Sequence, residues 1–426
     1  MSDQAAFPQQ GKADGYPCPE CGAQTSLKPG TESLACDHCG AKIPIDAPNR
    51  PIIEHDFAQA IAGATRRPIS EVAQGAREVQ CKVCGARAIV TRHADRCAFC
   101  DAPMVVELQT SDAQILPESV LPFTVEQKDA AAKFQKWLSS RWFAPSDLTK
   151  RSKKDGMDGV YLPYWTYDAQ TTSRYVGQRG EHYYENETYT ENGETKTRRV
   201  QKTRWWPAAG TVYVPFDDVL VPATETLPRK LVEKLEPWDL PSLRPFDGKY
   251  LAGFIAERYQ VELGDGFKTA QTRMEPVIRK AIYKDIGGDE QRIIGMDTRY
   301  DGVTFKHVLL PLWLSSFRYN EKVYRVTVNA RTGETAGERP YSWVKIVLLI
   351  VVILAAIAGI VYLIAQAKKP KPTSAREAPS LIVASEAEPY FGSVMFGSRP
   401  SLRAPSPLGT YAEGLVALSP VYLKTS

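Results

Sequence analysis

Four CxxC pairs in the first 100 residues, hairpin signals between 116 and 340, and one long uncharged apolar run near residue 350 define the expected fold class. It is small four-cysteine zinc ribbons plus an α+β domain with antiparallel strands, and a single C-terminal transmembrane helix. The boundaries are 16–45 for the first ribbon, 46–78 for a linker with a short helix, 79–108 for the second ribbon, 116–340 for the α+β domain, 344–367 for the membrane helix and 368–426 for a disordered tail.

The chain's 426 residues suit about two to three domains. Its 43% hydrophobic and 24% charged residues are ordinary, and a formal net charge of +4 predicts no general affinity for polyanions. A nucleic-acid partner would therefore need a local basic patch. The first 15 residues carry no basic stretch followed by an apolar one, so no secretory signal is expected. Eight cysteines in such a chain read as metal binding in a reducing compartment rather than as a disulfide framework.

The first constellation is Cys18, Cys21, Cys36 and Cys39, with 14 residues between its pairs; the second is Cys81, Cys84, Cys97 and Cys100, with 12. Each CxxC turn aims two thiolates at one ion, and two turns complete a tetrahedral sulfur site, so two Zn2+ ions are expected. Gly22, Gly40 and Gly85 follow three of the knuckles, where the backbone must curl under the sulfurs. Asp101 takes that place in the fourth, a departure the turn should tolerate. With every coordination position filled by sulfur, neither site leaves room for a catalytic water. Segments this short cannot build a core, so the metal should supply much of their folding free energy.

Residues 18–39 hold Lys28 against Glu20, Glu32 and Asp37, a net charge of −2 that does not suit phosphate. Residues 81–100 hold Lys82, Arg87, Arg92 and Arg96 against Asp95, a net charge of +3. These four form the candidate nucleic-acid patch, but Phe99 is the segment's one aromatic and offers no stacking platform. A protein-facing or structural module is the favoured reading. His38 and His93 read as solvated loop residues, since four cysteines already fill each site.

In the linker, Phe57, Ala60, Ile61 and Ala64 follow helical spacing before Pro68. A second helix is expected from Thr124, with Gln127 completing a capping box and Ala131, Phe134, Leu138 and Trp142 on one face. A third is expected near 269–284 with Ala270, Met274, Val277, Ile278 and Ala281 apolar, and with Pro276 as a kink or start. Asn192-Gly193 is a type I′ hairpin signal; pairing about it sets Glu187 opposite Arg198 and Glu181 opposite Arg204. A second hairpin is expected about 329–333. Val160–Trp165 and Val308–Trp313 echo each other as Leu-Pro strands closed by Trp, which shared core packing explains better than duplication.

Ile346 to Ala365 is 20 residues without a charge. At about 1.5 Å per residue it spans roughly the 30 Å hydrocarbon layer. Tyr341 and Trp343 precede it at the interface, Lys345 abuts it, and Lys368, Lys369 and Lys371 follow. Basic residues balance across the segment, so reduced thiolates decide the orientation: residues 1–343 are expected to face the cytoplasm, with the tail across the membrane.

No phosphate-binding G-x-x-x-x-G-K-[ST] loop, H-E-x-x-H or G-x-S-x-G occurs. The five histidines are scattered, and an enzyme is not expected. Which carboxylates meet in space cannot be read from sequence.

The motifs CPECG and CDHCG, the second cysteine quartet, LPYWTYD at 162–168, LPLW at 310–313 and GERPYSWVKI at 337–346 resemble those of bacterial membrane-anchored zinc-ribbon proteins. These are often labelled primosomal protein N′ (replication factor Y) helicase-like, or TFIIB-type zinc-ribbon proteins. The motor motifs of a helicase are missing here. The resemblance covers most of 16–367 and implies a non-enzymatic adaptor at the inner membrane, with SPFH (flotillin-like) or phage-shock-protein-A-like partners. The alternative it leaves is a nucleic-acid-binding ribbon protein related to replication factors.

Overall fold

The computed structural model describes residues 15–46, 50–63, 66–91, 96–103, 105–108, 113–145, 156–319 and 322–367. The tail at 368–426, together with Ala64, Arg92 and His93, lies outside them.

The two segments that echo each other in sequence turn out to be partners. Within the long strands β1 (Asp158–Glu191) and β3 (Glu290–Tyr319), Val160 faces Leu312, Leu162 faces Leu310 and Tyr164 faces Val308 in an antiparallel ladder. Both runs are continuously apolar because both sheet faces are covered there. Val160, Leu162, Leu310, Leu312 and Leu314 point into one apolar cluster, and Tyr161, Leu309 and Trp313 into another. Proline is normally excluded from central strands because it has no N–H to donate. Here Pro163 and Pro311 each stand where the outer neighbour's ladder has just ended. Their carbonyls accept from Ala223 and Ala330 on that outer side. A residue's N–H and C=O leave a strand on the same side, so the missing donors face positions where no rung is required.

On β1's other edge runs β2 (Glu194–Pro222), paired from Tyr164–Pro222 to the turn with one shift of register between Tyr167 and Ala169. The turn is the expected one: Asn192 and Gly193 both adopt positive φ, of 53° and 81°. Glu187 opposes Arg198, with an ion pair at 3.3 Å, and Glu181 opposes Arg204. The ladder of β3 stops at Gly180, so residues 181–204 form a two-stranded arm. On β3's far edge, β4 (Lys322–Asn329) pairs with Tyr319–Leu312, and the hairpin to Thr335–Gly337 closes about 329–333 as expected.

Helix α1 (Gln127–Ser139) starts three residues later than expected, and its capping box does not form. The Thr124 hydroxyl instead donates to the Ala330 and Arg331 carbonyls, and the Gln127 amide donates to Met157 O at 2.6 Å. Phe134 and Leu138 are buried with Ala130, whereas Trp142 is 62% exposed. Helix α2 (Leu263–Ile286) runs over both ends of the expected span and carries Pro276 inside it. Ala270, Met274, Ile278 and Ile282 face the sheet, and Val277 faces out. Its first turn is set by the LPYWTYD strand: Trp165 Nε1 donates to Val261 O at 2.9 Å and Tyr167 Oη to Leu263 O at 2.7 Å. A Cβ on Gly266 would lie 2.3 Å from the Tyr167 oxygen, so only glycine lets the helix come this close. The linker helix covers Phe57–Ile61, capped by Asp56, with Ala60 buried and Ile61 exposed.

The ribbons are not free modules. Both belong, with the middle region, to the compact unit Met1–Ala358. The first has its own three-stranded sheet of Thr25–Leu27, Ser33–Cys36 and Lys42–Pro44. The second is continuous with the main sheet. Its strand Arg87–Val90 pairs with Ile255–Glu257, which pairs in parallel with Val160–Tyr161 of β1. Near the C-terminus, Trp343–Ala367 forms the helix α3, and its 22 residues Trp343–Ile364 are long and apolar enough to cross a membrane.

Candidate metal centres

Each centre is built from two near-identical turns. In the first, Gly22 N donates to Cys18 O and Gly40 N to Cys36 O, with φ of 75° and 78° at the two glycines. In the second, Gly85 N donates to Cys81 O and Asp101 N to Cys97 O. Asp101 adopts the same left-handed backbone, φ 59°, and its carboxylate receives Arg96 Nη1 at 2.8 Å. Aspartate is among the few side chains that tolerate this region, so the fourth knuckle keeps the turn without glycine.

The sulfurs converge. Cys18 and Cys39 lie 3.5 Å apart, as do Cys21 and Cys36; Cys81–Cys100 and Cys84–Cys97 are each 3.6 Å. All four ligand atoms of each set fall within 4.8 Å of one another. A tetrahedron with metal–sulfur bonds of about 2.3 Å has edges of about 3.8 Å, whereas a disulfide would bring two sulfurs to about 2.05 Å. The spacing fits a tetrahedral thiolate site, so each quartet can hold one metal ion. Crowding also makes the bare thiols conflict. The Cys97 hydrogen bond pulls Cys84 down to about 5, while the same contact, with burial, pushes Cys97 well up. A cation that takes all four as thiolates removes that conflict.

The two settings differ. In the first centre Cys18 and Cys36 are buried but Cys21 and Cys39 are exposed. In the second, Cys81, Cys97 and Cys100 are buried, and Ala98 O and Phe99 O accept hydrogen bonds from Ser316 Oγ on β3 and Arg325 Nε on β4. Behind it lies a carboxyl that sequence reading did not single out. Glu257 is wholly buried, accepts from Thr224 Oγ1 at 2.9 Å, and is raised to about 7 by burial, with the Cys84 thiolate adding to the effect.

Of the candidate basic patch, Arg96 is held between Asp101 and Asp158, and Arg87 lies 4.0 Å from the buried Glu78, which also binds Arg258. Lys82 is exposed, and Arg92 lies outside the described residues. His38 is exposed and not among the ligands.

A third cluster was illegible in sequence. Opposite Asp168, the last residue of LPYWTYD, β2 bulges at Asp217–Asp218, and the Asp168 carboxylate lies within ligand reach of Glu54 and Asp217. Asp168 accepts from Asp218 N at 2.6 Å and Thr304 Oγ1 at 3.0 Å; burial, then a proton shared with Glu54, raises it to about 6. The positive charge here belongs to Lys306, whose Nζ lies 3.0 Å from Glu54 and 2.7 Å from Asp218. Lys306 and the proton shared between Asp168 and Glu54 offset part of the cluster's negative charge.

Taken together, the chain has two four-cysteine groups that can each hold a metal ion, in a mixed, mainly antiparallel sheet protein with one helix long and apolar enough to span a bilayer. Among known proteins it is similar to the "Uncharacterized protein YdjG" of Bacillus subtilis (strain 168), 26% identical over 337 residues, which span 78% of this chain and 91% of that protein. No family model and no solved structure matches.

Proposed function

We propose that this protein is a non-enzymatic, membrane-anchored zinc-ribbon adaptor, with both quartets holding Zn2+. In this reading residues 1–343 lie in the cytoplasm, at the inner membrane crossed once by α3. The observation that carries it is the open edge of the first centre. Cys21 and Cys39 stand exposed on knuckle turns beside a small three-stranded sheet, in a molecule that carries a bare apolar helix. A closed sulfur site does no chemistry on a substrate, but it stiffens a surface that a partner can dock on. Anchoring raises the effective concentration of such a weak contact at the bilayer. The resemblance in the cysteine and Trp motifs points to SPFH-like or phage-shock-protein-A-like partners. Less supports nucleic acid, because Arg87 and Arg96 face carboxylates rather than solvent alone.

The test has three parts on the full chain. Metal analysis should find two zinc ions per chain, and alkaline carbonate should leave the protein in the membrane pellet. A pull-down from solubilised membranes should recover an SPFH-like or phage-shock-like protein, and lose it when Cys21 and Cys39 are replaced by Ser. Salt-sensitive binding of duplex DNA with no protein recovered would favour the alternative.

A further inference from the structure

The first turn of α3 is clamped to the body. Ser342 N donates to Phe143 O at 2.7 Å, and Lys345 Nζ donates to Trp142 O at 3.1 Å and Ala144 O at 2.8 Å. Lys345 is the last charge before the apolar run, so it marks the headgroup level if that run lies in lipid. The loop it holds must then lie at the same level. That loop presents Trp142, 62% exposed, beside Tyr341 and Trp343, 64% and 73% exposed. Large aromatic rings left bare near an apolar helix suit the bilayer interface, where one side is apolar and the other wet.

Next to this loop opens a groove of about 770 Å³ between the end of α1 and the hairpin that follows β4. Arg141, Lys234, Lys322 and Arg339 line it against Glu334 and Glu338. None of the four cations has a carboxylate within 4.0 Å among the described residues. Two are held by rings instead: Arg141 lies over Trp137 and Arg339 over Tyr341, each 5.1 Å from the centroid. A guanidinium parked on a ring keeps its N–H fork free for an oxyanion.

We infer that this groove and Trp142 form a second membrane contact, in which the groove takes the phosphate of an anionic phospholipid headgroup. The groove's charge selects an anion, its position in sequence and space places it where headgroups are, and its volume admits one. The inference rests on α3 being in the bilayer, and the experiment separates the two.

Full-length protein would be purified in mild detergent, and retention of added phosphatidylglycerol and phosphatidylcholine followed by native mass spectrometry. The wild type should retain phosphatidylglycerol preferentially. Each of Arg141→Gln, Lys322→Gln and Arg339→Gln should cut that preference about fivefold, the equivalent of ~1 kcal/mol for a basic residue at an anionic surface. Arg141→Lys, which keeps the charge but not the planar fork, should keep only part of it. In vesicles containing brominated phosphatidylglycerol, Trp142→Phe should lower total tryptophan quenching. Metal content equal to wild type certifies that the variants are folded. Equal retention of the two lipids by the wild type, an undiminished preference in the triple variant, or a co-purifying protein in the groove would each overturn the inference. Loss of the whole protein from membranes in carbonate would instead overturn the anchoring reading.

Discussion

The two metal centres share a ligand set, a turn geometry and nearly the same sulfur spacing, yet they are built into the molecule in different ways. The first stands on its own three-stranded sheet and touches the body through Leu27 and Leu34, which pack in the cluster on one face of the β1–β3 pair. Two of its four cysteines are exposed. The second is threaded into the main sheet, and its loops 97–102 fill the apolar cluster on the opposite face, with Leu310, Leu312 and Leu314. The same ligand set thus sits at an exposed edge in one place and in the apolar core in the other. What surrounds the sulfurs decides, not the sulfurs.

The largest effect should come from breaking the staple. Cys97→Ser should lose one metal and unfold the body cooperatively, at a cost on the order of 5 kcal/mol, whereas Cys39→Ser should lose one metal with the main melting transition little changed. Thermal melts with metal counts on both variants check this; equal melting temperatures would erase the distinction drawn here. The same contrast has a kinetic form. A chelator should strip the metals in two phases, the first-centre ion at least tenfold faster because Cys21 and Cys39 are open to attack. A dye that reports released zinc, applied to wild type and Cys39→Ser, would show whether the fast phase belongs to that centre.

Acid sharpens the comparison by adding a group at neither centre. His307 on β3 is fully buried against Trp165, donates Nδ1–H to Ile115 O at 2.9 Å, and is lowered by burial from 6.5 to about 4. Between those values the unfolded chain binds a proton that the folded chain refuses. Its contribution is therefore complete above about pH 6.5 and disappears as pH falls toward 4, on the order of 3 kcal/mol at most. Denaturant titrations of wild type and His307→Phe across this range should differ in pH slope by that amount, with metal loss common to both. Smallest of all, Asp101→Ala should cost about 1 kcal/mol by putting a less tolerant side chain at φ 59° and freeing Arg96. Glu32→Gln, which loses only the exposed pair with Arg244 at 2.9 Å on the first ribbon, should cost less than about 0.5 kcal/mol.

What the sequence disclosed was local. CxxC spacing, the left-handed Asn192-Gly193 turn with its register, the hairpin about 329–333 and the uncharged run all depend on residues close along the chain. What it withheld was long-range. Nothing near Arg87–Val90 announces Ile255–Glu257 as its partner, so the second ribbon read as a separate module when it is part of the sheet. The echo between Val160–Trp165 and Val308–Trp313 was visible, but not that the two pair with each other. The capping box at Thr124 failed because a distant hairpin offered its hydroxyl two carbonyls, and tertiary partners outbid a local motif. The carboxylates at Glu54, Asp168 and Asp217 come from three separated segments and meet where β2 bulges opposite Asp168.

The bond from Lys345 to the Trp142 and Ala144 carbonyls has one more implication. Only five residues, 338–342, separate the last strand from α3, and the far end of that short connection is pinned. A body joined this way has no leash to its apolar helix: were α3 to lie in a bilayer, the exposed edge of the first ribbon could neither swing far from the surface nor turn freely against it.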